Sequence, residues 1–380
     1  MRGTALAAVA MAGVLTLAGC AKDSSGGSSN NSAAPSSGGS DCVTAQKPPA
    51  APAASSSTAA AGGKVDGSQL KIGLAFDVGG RGDASFNDAA AAGTDKAKSD
   101  LGVTTVNEST ASASEAESAK QQRLDQMASQ GLNPIVAVGF AYADSVKAVA
   151  TKYPNTKFAI VDDDSIQLPN VTPLVFAEEQ GSFLAGVAAA YKSKNCHIGF
   201  VGGVNTPLIQ KFEAGFLQGA KTVSSKVKIE DEYLTPAGDF SGFQDPPKGN
   251  AKAAAEIAKG ADVIYHAAGA SGKGVFDAAK AGNALAIGVD SDQYNQKTVA
   301  ADKDVIITSM LKRVDVAVFD YIQAVAKGDL TVLPKRFDLK VDGVGYATSG
   351  GKVDDIKDVL EGYKAQIISG AITVSDKPQK

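Results

Sequence analysis

The segment 77–87 combines residue types that suit the binding of a flat, polar ligand. It reads Asp-Val-Gly-Gly-Arg-Gly-Asp-Ala-Ser-Phe-Asn and follows an apolar run that ends at Phe76. Its glycines permit tight backbone turns, and Ser85 is a residue type that caps helices. At the start of a helix that faces a cleft, Phe86 could stack on a ligand while Asn87 donates and accepts hydrogen bonds. The alternative is that Phe86 packs into the local core.

Residues suited to hydrolytic or redox catalysis are scarce. The chain has two histidines and three cysteines, without CxxC or HxxxH spacing, so we expect neither a metal site nor a cofactor. The loop 269–274 lacks the spacing of a phosphate-binding P-loop. Residues 162–164, all aspartate, could bind a divalent ion, but one functional carboxylate at a cleft edge is the preferred interpretation. The net charge of −4 gives no basic surface for nucleic acid.

From residue 70 onward, short β-branched runs alternate with alanine-rich helical stretches. This spacing builds right-handed βαβ units and parallel sheets. The pattern restarts near residue 180, so we expect two α/β lobes with a cleft between them, and ligands beyond the carboxyl ends of the strands. The predicted strands are 71–76, 103–107, 134–138, 158–161, 197–202, 226–233, 263–267, 284–289 and 305–309. The predicted helices are 85–100, 113–130, 141–152, 180–192, 207–224, 250–259, 272–281, 313–327 and 353–369.

The N-terminus has the features of a secretory signal peptide over residues 1–19. Arg2 precedes an apolar run, residues 5–17, that is too short to span a bilayer. The run ends in Leu-Ala-Gly-Cys, which resembles the lipobox of bacterial lipoproteins and implies acylation of Cys20. An ordinary cleaved signal with an incidental Cys20 is the alternative. The resemblance implies lipid anchoring, for example by palmitate, on the extracytoplasmic face of the cell membrane.

Residues 20–69 are predicted to be the lipidated Cys20 followed by a flexible linker. The linker is nearly all Ser, Gly, Ala, Pro and Asn, and such a segment cannot bury enough apolar surface to offset the entropy of ordering it. Cys42 lies in this linker and Cys196 follows a predicted helix. The two cysteines could pair in an oxidising compartment, but we expect both to be free thiols.

Motifs throughout the rest of the chain are similar to those of one protein family. They include Phe76-Asp77-Val78-Gly79-Gly80, Ser85-Phe86-Asn87, Ala159-Ile160-Val161-Asp162, Phe212-Glu213-Ala214-Gly215-Phe216, Ala267-Ala268-Gly269-Ala270-Ser271-Gly272, Ile287-Gly288-Val289-Asp290 and Thr308-Ser309-Met310-Leu311-Lys312. Together they resemble the basic membrane protein family, lipoprotein nucleoside-binding components of ABC transporters that are similar to purine nucleoside receptors. The resemblance covers residues 70–367.

The resemblance implies the periplasmic-binding-protein type I fold, an α/β fold of two lobes joined by three hinge crossings. Each lobe is then a parallel sheet flanked by helices, with lobe 1 over 70–176 and 307–335 and lobe 2 over 177–306 and 336–375. It also implies a monomeric, membrane-anchored binding protein, not an enzyme, that captures a nucleoside, preferably a purine nucleoside, for an ABC transporter permease. Another solute such as a sugar, a nucleoside-processing enzyme and a surface antigen are the alternatives.

The resemblance further assigns ligand-binding roles to individual residues. Phe86 would stack on the base, and Asn87 would read the base edge. Asp290 would accept hydrogen bonds from the ribose hydroxyls, and Lys312 would approach the same hydroxyls or pair with Asp290. The other expected contacts are Asp77 as a polar contact or loop brace, Asp162 at the base, and Gly269 and Gly272, whose loop lets backbone amides approach the sugar.

The chain departs from this family at the second stacking residue. The family usually has an aromatic side chain from the other lobe on the opposite face of the base, where this chain has Tyr265-His266-Ala267. His266 could stack there, and a histidine buried within the strand is the alternative. Phe240 and Phe243 are further candidates for the second stacking residue.

Overall fold

Two β-sheets organise the computed structural model, which describes residues 42–50 and 65–379. The first sheet has the order β2-β1-β3-β4-β5, and all its pairings are parallel. Its strands are β1 (Lys71–Phe76), β2 (Thr105–Thr110), β3 (Ile135–Ala137), β4 (Phe158–Val161) and β5 (Val171–Leu174). Strands β1, β3 and β4 are almost wholly buried, as expected of parallel strands that are covered on both faces.

The helices α1 (Phe86–Leu101), α2 (Glu117–Ser129) and α3 (Ala143–Lys152) connect the strands of the first sheet. A fourth helix, α8 (Val314–Lys327), comes from much later in the chain and packs on α1. The two helices approach closely at Gly93, where a Cβ atom would lie 2.7 Å from the Asp315 carbonyl oxygen. We call this sheet with its four helices lobe 1.

The second sheet has the order β11-β10-β9-β8-β6-β7. Its strands are β6 (His197–Val204), β7 (Lys228–Thr235), β8 (Val263–Ala267), β9 (Leu285–Asp290), β10 (Ile306–Lys312) and β11 (Val344–Tyr346), of which β11 pairs antiparallel to β10. The helices α4 (Glu178–Lys192), α5 (Pro207–Val223), α6 (Pro246–Ala258), α7 (Gly272–Ala281) and α9 (Lys357–Ile368) accompany it. We call this sheet with its five helices lobe 2.

The two-lobed α/β fold predicted from the sequence is confirmed. The chain passes between the lobes after β5, between β10 and α8, and between α8 and β11, which accounts for three crossings. Strands β5 and β11, of four and three residues, were not predicted. The predicted lobe boundaries stay a prediction. The predicted lobe 1 includes residues 307–335. Within this range, β10 is hydrogen-bonded to strands of the second sheet, whereas α8 packs on α1.

The expectation of two free cysteines is wrong. Cys42 and Cys196 form a disulfide bond whose Cα atoms lie 5.0 Å apart. The chain around Cys42 lies against lobe 2, since the N–H groups of Thr44 and Ala45 both donate to the Val223 carbonyl oxygen at 2.9 and 3.0 Å. Residues 42–50 of the predicted flexible linker are therefore held on the folded body.

The predicted signal peptide, Cys20 and the rest of the linker up to residue 41, with 51–64, lie outside the described residues. Among the helices of 42–50 and 65–379, none combines the length and the apolar character needed to cross a bilayer.

Candidate functional site

A cavity between the lobes has walls from both of them. It contains about 540 Å³ of space free of atoms, a volume that includes its solvent-open mouth. Polar and aromatic side chains line it together with smaller apolar residues. The polar ones are Asp77, Asp83, Asn87, Asp162, Asp290 and Lys312, and the aromatic ones are Phe86, Phe140, Phe212 and Phe243. Gly269 also lies in the wall.

Buried carboxylates hold the loop after β1 in place. Asp83 accepts hydrogen bonds from the N–H groups of Ser85, Asn87 and Asp88 at 2.8–3.1 Å, so it caps the first turn of α1. Burial raises the pKa of Asp83 to about 6, although these hydrogen bonds oppose the shift. Arg81 lies on the outside of the loop and forms ion pairs with other carboxylates. Sequence reasoning did not select Asp83 as a site residue.

Asn87 braces the same loop with both ends of its side chain. Its Oδ1 accepts from the Asp77 N–H at 3.0 Å, and its Nδ2 donates to the Val78 carbonyl at 3.1 Å and to Asp83 Oδ2 at 3.0 Å. Both amide protons of Asn87 are thus used within lobe 1. Asp77 is buried, and burial raises its pKa to about 6, against the hydrogen bond from the Val78 N–H.

Two phenylalanine rings from opposite lobes border one ammonium group. The Nζ atom of Lys312 lies 4.9 Å from the centre of the Phe86 ring and 5.6 Å from that of Phe212. Phe86 begins α1 of lobe 1, and Phe212 lies in α5 of lobe 2. Sequence reasoning missed Phe212 as a site residue. Its position in the early turns of the helix that follows β6 is the signal that could have found it.

Lys312 is the centre of a buried charged cluster. Its Nζ lies 2.6 Å from Asp162 Oδ2 and 3.6 Å from Glu178 Oε1, and its side chain is 2% exposed. Burial lowers the pKa of Lys312, but the charges of Asp162, Glu178 and Asp290 more than offset this, so the net shift is upward. Lys312 is therefore charged at neutral pH, and its direct ion pairs are with Asp162 and Glu178.

Asp162 presents one unused oxygen to the site. Burial raises its pKa to about 7, opposed chiefly by the charge of Lys312. Its Oδ1 has no hydrogen-bond partner within the part of the chain that the structure describes. A buried polar atom of this kind costs free energy unless a ligand or water satisfies it.

Asp290 ends β9 and, like Asp162, lines the cavity. Both residues have positive φ, 62° at Asp290 and 70° at Asp162, a conformation that is uncommon outside glycine and that clusters at functional sites. Asp290 Oδ2 accepts a hydrogen bond from Ser85 Oγ at 2.6 Å. Burial raises the pKa of Asp290, with Lys312 and Ser85 opposing.

Two of the predicted contacts lie away from the cavity wall. His266 is fully buried in β8, with Nε2 3.0 Å from Gln293 Oε1 and its ring 4.9 Å from that of Phe276. Burial lowers the pKa of His266 to about 4, so the ring is neutral at physiological pH. A Cβ atom on Gly272 would lie 2.0 Å from His266 Cε1. Gly272 thus leaves room for the buried ring.

The other predicted residues converge on the cavity. Asp77, Phe86, Asn87, Asp162, Gly269, Asp290 and Lys312 all line it. Of the further candidates for the second stacking residue, Phe243 lines the cavity. Phe240 instead packs its ring against that of Phe140, with the ring centres 5.9 Å apart.

A family model described as ABC transporter substrate-binding protein PnrA-like (Bmp) matches residues 70–377. The chain belongs to this family. The PnrA-like match spans both lobes, from the start of β1 to beyond α9, so the entire inter-lobe cavity falls within it.

Characterised and uncharacterised relatives agree with the PnrA-like assignment. The chain is 34% identical to the ABC transporter nucleoside-binding protein BmpA of Lactococcus lactis, over 83% of this chain and 91% of that protein. It is 35% identical to a CD4+ T-cell-stimulating antigen of Listeria monocytogenes, over 81% and 88% of the two chains. An uncharacterised lipoprotein of Pyrococcus abyssi is 35% identical, over 74% and 70%.

The fold is also found among solved structures. An ABC transporter solute-binding protein from Aeropyrum pernix superposes with a TM-score of 0.68 at 28% identity, covering 82% of this chain and 94% of that one. The PnrA-like protein described here is accordingly a substrate-binding protein of the ABC transporter class.

Proposed function

We propose that this protein is a lipid-anchored receptor that binds a nucleoside, preferably a purine nucleoside, and delivers it to an ABC transporter permease. The observation that carries the proposal is the inter-lobe cavity, in which aromatic rings from both lobes accompany buried carboxylates. The relative from Lactococcus lactis, named as nucleoside-binding, supports the same ligand class.

The aromatic residues suit a planar base. Phe86 and Phe212 come from different lobes, and both lie within 6 Å of the same Lys312 ammonium, so a heterocycle between the lobes can contact both. Stacking of a base on an aromatic side chain contributes about 1–3 kcal/mol. Phe212 therefore takes the role that the sequence left open between His266, Phe240 and Phe243.

The carboxylates suit the sugar and the polar edge of the ligand. Ionised carboxyl groups only accept hydrogen bonds, so Asp290 and the unpartnered Asp162 Oδ1 call for donors such as hydroxyl or amino groups. The charge of Lys312 favours the ionised form of the neighbouring Asp162 and opposes the rise in its pKa that burial causes. A nucleoside supplies both kinds of group on one rigid molecule, with vicinal hydroxyls for Asp290 and a polar base edge for lobe 1.

Binding is coupled to closure of the lobes in this proposal. A ligand that contacts Phe86 in lobe 1 and Asp290 in lobe 2 does so fully only when the lobes are closed, and its differential affinity then shifts the population toward that state. The closed form is what the permease would recognise. No covalent step is required, so we propose that the protein is not an enzyme.

The lipobox-like segment supports the proposed location on the extracytoplasmic face of the membrane, with Cys20 as the lipid attachment site. We propose that the folded body acts as a monomer. Replacing the thiol, Cys20→Ser, should release the protein from the membrane fraction into the medium or periplasm. A variant that remains in the membrane pellet would contradict the lipid anchor and leave the binding site untouched.

Isothermal titration with inosine, guanosine, adenosine, uridine and free ribose tests the ligand class. We expect saturable binding of nucleosides, stronger for the purine ones, and much weaker binding of ribose, because ribose lacks the stacking surface. Chromatography of the mixture should show unchanged nucleoside. Binding of ribose alone would support the sugar alternative, and release of free base would support a nucleoside-processing enzyme.

A further inference from the structure

Ser85 immediately precedes helix α1, but its side chain does not cap the helix. Serine at this position normally accepts a hydrogen bond from an N–H group of the first turn. Here the backbone of Ser85 has φ −142° and ψ −115°, and its hydroxyl makes no capping hydrogen bond to α1, all of whose residues are described. The hydroxyl of Ser85 is therefore free for another partner.

Asp83 caps helix α1 in place of Ser85. Its two carboxylate oxygens accept from the N–H groups of Ser85, Asn87 and Asp88. The start of α1 is thus satisfied without the serine side chain. Nothing in the local stability of the helix requires the Ser85 hydroxyl.

The Ser85 hydroxyl instead reaches across the cleft to lobe 2. Ser85 Oγ lies 2.6 Å from Asp290 Oδ2 and 3.5 Å from the Val289 carbonyl oxygen. In return, Ser291 Oγ donates to the Ser85 carbonyl oxygen at 2.9 Å. Ser85 is fully buried and Asp290 is 7% exposed, so the hydrogen bond between them is shielded from water, whereas the one from Ser291 is partly buried.

We infer that Ser85 is a latch that stabilises the closed arrangement of the two lobes through Asp290 and Ser291. Opening the cleft must break both hydrogen bonds and expose the Asp290 carboxylate. A hydrogen bond to an ionised group is stronger than one between neutral groups, and it gains from burial. All the atoms of the latch belong to the chain, so it contributes to the stability of the closed form whether or not a ligand is bound.

The latch also connects closure to ligand binding. Asp290 lines the cavity while its Oδ2 is held by Ser85, so Ser85 fixes the carboxylate that a ligand would meet. Ser85 is thus a positioning residue that acts through Asp290. This second consequence rests on the proposed function, whereas the effect of Ser85 on lobe closure does not.

Small-angle X-ray scattering of the ligand-free protein tests the latch without any assumption about the ligand. We expect Ser85→Ala to show a larger radius of gyration than wild type, because loss of the latch shifts the population toward open forms. Ser291→Ala, which removes only the returning hydrogen bond, should shift in the same direction by less. Equal radii of gyration for wild type and Ser85→Ala, whether both proteins are open or both are closed, would refute the latch.

A matched control is available inside lobe 2. Ser193 Oγ donates to Asp262 Oδ1 at 2.6 Å, the same pair of groups at the same distance, but both residues flank the second sheet. Ser193→Ala should lower thermal stability and leave the radius of gyration unchanged. If Ser193→Ala opens the protein as much as Ser85→Ala does, the effect is general loosening and the latch is refuted.

Release of inosine, followed by stopped-flow tyrosine fluorescence, tests the link to binding. We expect Ser85→Ala to release inosine about tenfold faster than wild type, in line with the loss of one hydrogen bond to a charged group, while Ser193→Ala keeps the wild-type rate. An unchanged release rate with altered scattering would refute the coupling to ligand. Wild type that binds no nucleoside would refute the proposed function and leave the scattering result standing.

Discussion

Replacing Lys312 by methionine should destabilise the protein strongly, and more so at higher pH. The Lys312 ammonium pairs with Asp162 at 2.6 Å and with Glu178 at 3.6 Å, and Asp290 also lies in its field. The side chains of Lys312, Asp162 and Glu178 are at most 3% exposed, and Asp290 is buried. Removing one partner of a buried ion pair typically costs about 3–5 kcal/mol, because it leaves uncompensated charge. We therefore expect a loss of about 3 kcal/mol or more in the free energy of unfolding at pH 8.

The pH dependence follows from the carboxyl groups that remain. Burial already raises the pKa of Asp162 to about 7, and loss of the ammonium would raise it further. The folded variant then binds more protons than the unfolded chain above pH 4, so its stability falls as the pH rises. At pH 5, where the carboxyl group can be protonated, the penalty should shrink.

Urea unfolding followed by circular dichroism at pH 5 and pH 8 measures both effects. Lys211→Met is a suitable control, because Lys211 lies 3.7 Å from the same Glu178 but is 31% exposed, so we expect a loss of less than about 1 kcal/mol. The double variant Asp162→Asn/Lys312→Met should recover part of the lost stability. A loss below 1 kcal/mol for Lys312→Met, equal at both pH values, would refute the buried charged cluster.

Further predictions concern the stacking residue, an isolated carboxyl and the disulfide. Phe212→Ala should weaken nucleoside binding by about 1–3 kcal/mol, measured by calorimetry, and wild-type affinity would remove Phe212 from the site. Glu256 is buried with neither carboxyl oxygen partnered among the described residues, and burial raises its pKa to about 9, so wild-type stability falls as the pH rises from about 4.5 toward 9. In urea unfolding, the free energy of unfolding of Glu256→Gln should therefore exceed that of wild type by at least about 1 kcal/mol at pH 8, and by little at pH 5. Equal free energies of unfolding for the two proteins at both pH values would contradict this. Serine at both Cys42 and Cys196 should cost about 2–5 kcal/mol, and an unchanged denaturant midpoint would show that the bond contributes nothing.

The sequence predicts the fold well where strands are continuously buried. Strands β1, β4 and β8 were placed at their observed bounds, because uninterrupted β-branched and apolar runs are typical of parallel strands covered on both faces. The short strand β5 contains a proline, Pro173, and is partly exposed, so it lacks that pattern. The disulfide was missed since Cys42 sits 154 residues from its partner in a segment whose composition indicates a linker.

The site residues likewise include some that the sequence could predict and some that it could not. Asp162, Asp290 and Lys312 were predictable because they lie at or next to the ends of strands, where parallel sheets present side chains to ligands. In β8, burial on both faces removes the alternation that would tell which face meets the cavity, so the sequence could not place His266. Phe212 lies in the early turns of α5, which the sequence indicates, but the face of α5 that meets the cavity depends on how this helix packs on the second sheet, and local sequence does not determine that.

The decisive measurement is a crystal structure of the protein with a bound purine nucleoside. We expect the base between the rings of Phe86 and Phe212, with the ribose hydroxyls within hydrogen-bond distance of Asp290. A nucleoside bound outside the inter-lobe cavity, or bound inside it without contact to either ring, would refute the proposed binding site.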